Sequence, residues 1–110
     1  MITFEEAELR AKILKSLAHP VRLMIVDMLK DKEMSFSEIS SKFDMDKSTI
    51  SKHLSVLKQV GIVTSRKVKK DMIYKLEIPC VIEFFECSTK VLRQYINRHK
   101  SVIGQHNDFV

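Results

Sequence analysis

The chain has two glycines and two prolines in 110 residues. That leaves no flexible linker and few irregular loops. Two cysteines, Cys80 and Cys87, are too few to staple a secreted scaffold; in a reducing compartment they are free thiols, ligands or a redox pair. No apolar run approaches the roughly 18 residues of a membrane span. Three Glu among the first eight residues are the reverse of a basic signal-peptide start. A cytoplasmic protein with no membrane partner is expected. No Gly-rich phosphate loop is present, and the one histidine in an ordered helix, His53, has no acid or nucleophile placed beside it by a motif, so an enzyme is not expected. A hydrophobic share of 45% is too high for disorder. The length fits one domain with a modest core.

Positive charge is confined to one third of the chain. Residues Lys42 to Lys75 carry nine Lys/Arg and three Asp/Glu, a net of +6; the other 76 residues carry ten and eleven, a net of −1. A field focused on one small module points to a polyanion held in one orientation, duplex DNA above all.

Hydrophobic spacing predicts a helix from Phe4 to Leu17, with a capping box from Thr3 and Glu6, and a second from Pro20 to Leu29 with Val21, Met24, Ile25, Met28 and Leu29 inward. Ser35 opens a short third helix with Glu38 completing a capping box; Phe36, Ile39 and Phe43 form its apolar face. A turn at Asp44-Met45 leads to a fourth helix, Lys47 to Val60, capped by Asp46 and ended by Gly61. Its buried face is Ile50, Leu54, Leu57 and Val60. From Ile62 the period changes to that of two short strands around Lys69-Lys70-Asp71, ended by Pro79. A last helix runs from Cys80 to about Arg98. The fold class is mainly α with a small β-hairpin wing, a winged helix-turn-helix in the order α-α-α-α-β-β-α. Within a single domain over 1–110, residues 35–60 form the helix-turn-helix and 62–78 the wing. Residues 1–18 and 80–98 are dimerisation helices, and 99–110 a frayed tail.

A helix-turn-helix places the N-terminal residues of its second helix in the major groove. The positions expected to meet DNA are Lys47, Ser48, Thr49, Ser51 and Lys52, with His53 at the flank. Small hydroxyls allow close approach and bond to phosphates or base edges; the lysines reach phosphates or guanine O6/N7. No Arg, Asn or Gln occurs in the first two turns, so specificity leans on few contacts, spacing and duplex shape. Arg66, Lys67, Lys69 and Lys70 cluster like charges on a hairpin, which phosphates would neutralise. The last helix is apolar around more than half its circumference, and Leu9 and Ile13 are out of register with Ala7, Ala11 and Leu14. Both ends of the chain therefore call for a partner. A two-fold dimer satisfies them and sets two recognition helices about one DNA turn apart, on an inverted repeat.

Two stretches carry a family resemblance: LKSLAHPVRLMIVDML, Leu14 to Leu29, and STISKHLSVLKQVGIV, Ser48 to Val63, followed by a wing closing on IYKL, Ile73 to Leu76. The chain resembles the ArsR/SmtB family of winged-helix repressors over about residues 9 to 98. The resemblance implies a homodimer joined by its first and last helices, and repression until an effector lowers DNA affinity. The family's usual base- and phosphate-contacting positions match Ser48, Thr49, Ser51, Lys52 and His53. Arg22 matches a near-invariant arginine and is taken as structural; His19 stands where the family more often has an acidic residue or Asn. The family's effector sites are not matched. Ser35 and Ser37 stand in place of a Cys-x-Cys pair. Glu83, Phe85, Gln94 and Asn97 stand on the last helix, where zinc and nickel sensors carry histidines.

Cys80 and Cys87 are the remaining effector candidates. On one helix they lie about 10 Å apart along the axis, too far to pair within a subunit. They can pair across an antiparallel dimer, or within one chain if Cys80 lies outside the helix. Thiolates select soft metals and metalloids or act as a redox sensor. A thiolate-bound ion or no cofactor at all both remain open. His99 and His106 are candidates for a mixed site. Cysteines that only pack in a core, with effector-independent DNA binding, form one alternative. A dimeric protein-interaction module that has lost DNA binding is the other.

Overall fold

The first helix is set by its N-cap. Thr3 Oγ1 accepts the Glu6 N–H at 3.1 Å, and Glu5 and Glu6 sit at the positive end of the helix macrodipole. The return bond from Glu6 that would complete a capping box is not formed. Helix α1 runs Phe4–Leu17. This computed structural model describes residues 1–78 and 80–99, without the side chains of 80–82, 84 and 85. The tail expected to fray, with His106, lies outside the described residues beyond His99.

Helix α2, Pro20–Leu29, begins with proline at N1, where a missing N–H costs nothing. Its N-cap is His19, whose Nδ1 accepts the Val21 N–H at 3.1 Å. An imidazole thus does the work of the acidic or Asn side chain more usual there. Val21, Ile25, Val26 and Leu29 are buried. Met24 is exposed, so the inward stripe is rotated toward Val26 from the one expected.

The sequence does not announce the next element. Met34–Ser35 form a two-residue strand, β1, pairing antiparallel with residues 73–74. Ser35 also caps α3, Phe36–Ser40, in a complete box: Ser35 Oγ accepts the Glu38 N–H, and Glu38 Oε1 accepts the Ser35 N–H, both at 3.1 Å. Tight backbone turns then carry the chain through Lys42 and Phe43, so the helix is shorter and the turn longer than expected.

Helix α4, Lys47–Gln59, buries Ile50, Leu54 and Leu57 against α2, α1 and the sheet; Val60 is its half-buried C-cap. Asp46 holds the N-cap position without a side-chain bond, and its backbone carbonyl accepts the Thr49 and Ile50 N–H groups. The C-terminus is a Schellman motif. Gly61 N–H donates to the Lys58 carbonyl, Ile62 N–H to the Leu57 carbonyl, and Gly61 adopts φ +82°.

Strands β2, Val63–Val68, and β3, Asp71–Leu76, pair from Val63–Leu76 to Val68–Asp71 around Lys69-Lys70. The sheet order is β1-β3-β2, so the winged fold class holds with one short strand added to the expected order. Register puts Met34, Val63, Tyr74 and Leu76 on one face. Ser35, Thr64, Arg66, Ile73 and Lys75 lie on the other. Buried Met34 and Val63 mark the first face as the core face.

The chain divides into two compact units, Met1–Ile78 and the segment from Pro79 on, whose described part is helix α5, Cys80–Arg98. Among its described side chains Val91, Leu92, Tyr95 and Ile96 are exposed.

A Cβ at Gly61 would meet nothing within 4 Å, so only backbone conformation resists substitution there. Gly61→Ala should destabilise the protein by about 1–2 kcal/mol, the cost of a left-handed L-residue. Urea unfolding checks the value; a loss near zero would mean that the turn relaxes out of the left-handed region.

Candidate nucleic-acid interface

The buried stripe of α4 decides what the helix shows outward. With Ile50, Leu54 and Leu57 fixed inside, Lys47, Ser48, Ser51, Lys52 and Ser55 fall within an arc of about 140° on the opposite side. All five are exposed, and none is acidic. Thr49 is half-buried at one border of this arc. The outward face expected from the sequence is therefore assembled, with Thr49 recessed.

His53 lies beyond that border. It is half-buried, and its ring centroid is 4.2 Å from that of His19 at an interplanar angle of 44°. Burial, then the nearby His19 and Arg22, push its pKa below the usual histidine value. Arg22 is partly buried, and its Nε is enclosed without a hydrogen-bond partner. His53 thus joins the recognition helix to the start of α2.

The basic wing residues separate into two groups. Lys67, Lys69 and Lys70 are exposed at the far end of the hairpin. Lys69 is held at φ 57°, a left-handed conformation uncommon for a side-chain-bearing residue. Arg66 is engaged instead. Its two terminal nitrogens donate to the two carboxylate oxygens of Glu33, Nη2 to Oε2 at 3.1 Å. The hydrogen bond from Arg66 holds the Glu33 carboxyl below the usual carboxylate range. Beside this pair, Thr64 Oγ1 donates to Glu77 at 2.8 Å, and Lys58 Nζ donates to Ser65 Oγ at 2.7 Å, joining α4 to the wing. No local sequence signal marks Glu33 or the His19–His53 contact, since each joins positions more than 30 residues apart.

The family's soft-metal site does not fit here. Ser35 Oγ is taken up in capping α3, and a hydroxyl is a poor ligand for a soft ion. Among the described residues no group of three or more His, Cys, Asp or Glu is placed to hold a metal. Cys87 is exposed on α5, with Glu83, Glu86 and Lys90 nearby. Cys80 is the first residue of α5, so both cysteines belong to one helix two turns apart; the Cys80 side chain lies outside the described residues. No helix among the described residues is long and apolar enough to cross a membrane.

A short helix, a turn, an outward polar helix and a basic hairpin in one compact unit define a winged helix-turn-helix transcriptional regulator. The profile of the family described as bacterial regulatory protein, arsR family, matches residues 19–65. Rv0081 of Mycobacterium tuberculosis, an uncharacterised HTH-type transcriptional regulator, is 32% identical over 97 residues, which cover 87% of this chain and 85% of that one. Its crystal structure matches with a TM-score of 0.76 at 31% identity, over 88% and 98% of the two chains. The biofilm growth-associated repressor of Xylella fastidiosa is 39% identical over 79 residues, 68% of this chain and 69% of that one. The transcriptional activator HlyU of Vibrio cholerae is 38% identical over 74 residues, 64% and 68% of the two chains. This chain belongs to the ArsR family of DNA-binding transcriptional regulators.

The burial of His53, next to His19 and Arg22, makes stability depend on pH with a definite sign. A histidine whose folded pKa is lowered is bound by fewer protons folded than unfolded. Its neutral-state contribution is complete above the unfolded value of about 6.5 and is lost as pH falls from there toward the folded pKa. Unfolding free energies measured by urea titration across that range should fall with pH in the wild type and flatten in His53→Gln. Parallel profiles would place the titration elsewhere.

Proposed function

We propose that the protein is a homodimeric repressor that binds an inverted repeat in duplex DNA and leaves it when a thiol-reactive effector acts at Cys80 and Cys87. The observation that carries the DNA-binding reading is the acid-free outward arc of α4 in the same compact unit as the lysine-tipped hairpin. Lys47, Ser48, Thr49, Ser51 and Lys52 enter the major groove, while Lys67, Lys69 and Lys70 hold flanking phosphates. His53 orients α4 from its inner flank.

Dimerisation is supported by apolar side chains left in solvent on each terminal helix. Leu9, Ile13 and Leu14 are 65%, 42% and 55% exposed on α1, and Val91 is 65% exposed on α5. A second copy is the partner that would cover them and give two recognition helices. A dimer seated on a promoter blocks it by occupancy, which favours repression. The named relatives include both a repressor and an activator.

The effector reading rests on the exposed Cys87 thiol. Cys80 and Cys87 both stand in α5, two turns apart, a spacing that favours pairing with the partner's helix over pairing within a subunit. Two thiolates brought together there would take a soft metal or metalloid ion, or close to a disulfide.

The test has two arms. Ser51→Ala with Lys52→Ala should cost affinity for a duplex selected by the wild-type protein far more than affinity for a random duplex. Lys69→Ala with Lys70→Ala should weaken both alike and reduce the salt slope by up to about two. Equal behaviour of the two double mutants would overturn the division between groove and backbone contacts. In the second arm, DNA release is measured with arsenite, cadmium, lead, copper(I), a disulfide-forming oxidant and a persulfide donor. One of these should release DNA from the wild type and not from Cys80→Ser or Cys87→Ser. Mutants that respond like the wild type would remove the cysteines from sensing and leave an effector-independent binder.

A further inference from the structure

The outer face of the sheet is closed by a strap. Arg66 projects from β2 across the half-buried Ile73 of β3 and forks onto Glu33, which immediately precedes β1. One side-chain pair therefore spans all three strands. β1 supplies only two residues of pairing, and β2 is an edge strand bonded on one side to β3 alone. On its core face the hairpin runs from buried Val63 through half-buried Ser65 to exposed Lys67, so its outer half has little core beneath it. Lys58 ties the middle of β2 to α4 through Ser65, so the part of the hairpin beyond Ser65 is the part whose angle needs a further support.

We propose that Glu33 and Arg66 are positioning residues for DNA recognition, a bidentate strap that sets the angle at which the wing presents Lys67, Lys69 and Lys70 to the phosphate backbone. The proposal rests on the DNA-binding function proposed above and assigns Arg66 away from direct phosphate contact. Two parallel N–H···O bonds fix an orientation, which a single ammonium contact cannot do. Both groups are substantially exposed, so the pair adds little to global stability; its effect is on where the wing points. Lys69 and Lys70 act as the free cations, and Arg66 acts through them.

This makes a counter-intuitive expectation about charge. Glu33→Gln removes a negative charge from the DNA-binding unit, and long-range attraction alone would then tighten binding. If the strap positions the wing, Glu33→Gln weakens binding instead.

The experiment measures affinity across a salt series for a duplex selected by the wild-type protein from a random-sequence pool, and for a random duplex. Variants are Glu33→Gln, Arg66→Lys, Arg66→Glu, the exchange Glu33→Arg with Arg66→Glu, and Lys69→Ala with Lys70→Ala. Glu33→Gln and Arg66→Lys should each lower affinity for the selected duplex by about three- to ten-fold, the scale of a mispositioned pair of phosphate contacts. Circular dichroism melts should stay close to the wild type. The exchange should recover most of what Arg66→Glu loses. If Glu33→Gln binds as tightly as the wild type or tighter, or if the exchange binds no better than Arg66→Glu alone, the strap is overturned and Arg66 is a phosphate contact. If Lys69→Ala with Lys70→Ala leaves the salt slope unchanged, the wing does not touch DNA, and the strap falls together with the wing's role in binding.

Discussion

The outward face of α4 depends on three side chains that point inward. Ile50, Leu54 and Leu57 are fully buried or nearly so, and together they fix the rotation of α4 about its own axis. Once that rotation is fixed, the hydroxyls and lysines of the opposite arc have nowhere to go but solvent. The same stripe fixes where the helix stops. Leu57 contributes the carbonyl that accepts the Ile62 N–H, so the residue that closes the core also closes the Schellman turn and launches β2. Recognition helix and wing are thus mechanically continuous, with Gly61 as the single left-handed step between them.

Electrostatics divides the basic third more finely than composition suggests. Nine cations lie between Lys42 and Lys75, but they are not equivalent. Lys58 and Arg66 are committed to partners inside the unit, and Lys75 stands 3.9 Å from Glu77. What remains for a polyanion is concentrated around the start of α4 and at the tip of the wing, where every lysine is exposed. Cations nearer the base hold the hairpin in shape. Glu33 and Glu77 lower the repulsion at Arg66 and Lys75, and the like charges that stay uncompensated are those of Lys67, Lys69 and Lys70 at the tip.

What was legible in the sequence was whatever is encoded locally. Pro20 with the following apolar spacing gave the start of α2, Ser35 with Glu38 gave the cap of α3, and Gly61 gave the end of α4; each depends on residues within one turn. What was not legible depends on residues far apart. β1 is two residues long and exists only because Tyr74 and Ile73 are brought alongside, so no period could betray it. Glu33 and Arg66 are separated by 33 positions, and His19 and His53 by 34. Nothing in either neighbourhood marks the other. Asp46 shows the opposite failure. It has the residue type of a cap at the right place, yet its carboxylate makes no capping bond and its backbone carbonyl alone receives the first turn. Met24 and Val26 exchanged roles because helix propensity fixes spacing but tertiary contact fixes phase.

The DNA-binding unit is tied at many points: the buried stripe of α4, the capped starts of α1 and α3, the imidazole cap of α2, and the Arg66–Glu33 strap. A unit so constrained responds to a signal more readily as a body than by internal deformation, because packed cores are bistable rather than soft. In the proposed dimer, affinity for an inverted repeat then depends on the distance and angle between two such bodies, quantities set by whatever joins the subunits. A coupling of about 1–3 kcal/mol, typical of allosteric pairs, corresponds to a five- to 150-fold change in affinity. Cys87 sits on α5, outside the Met1–Ile78 unit that carries α4 and the wing. In the proposed dimer, chemistry there would alter how two DNA-binding bodies are joined and leave the surface that reads DNA intact.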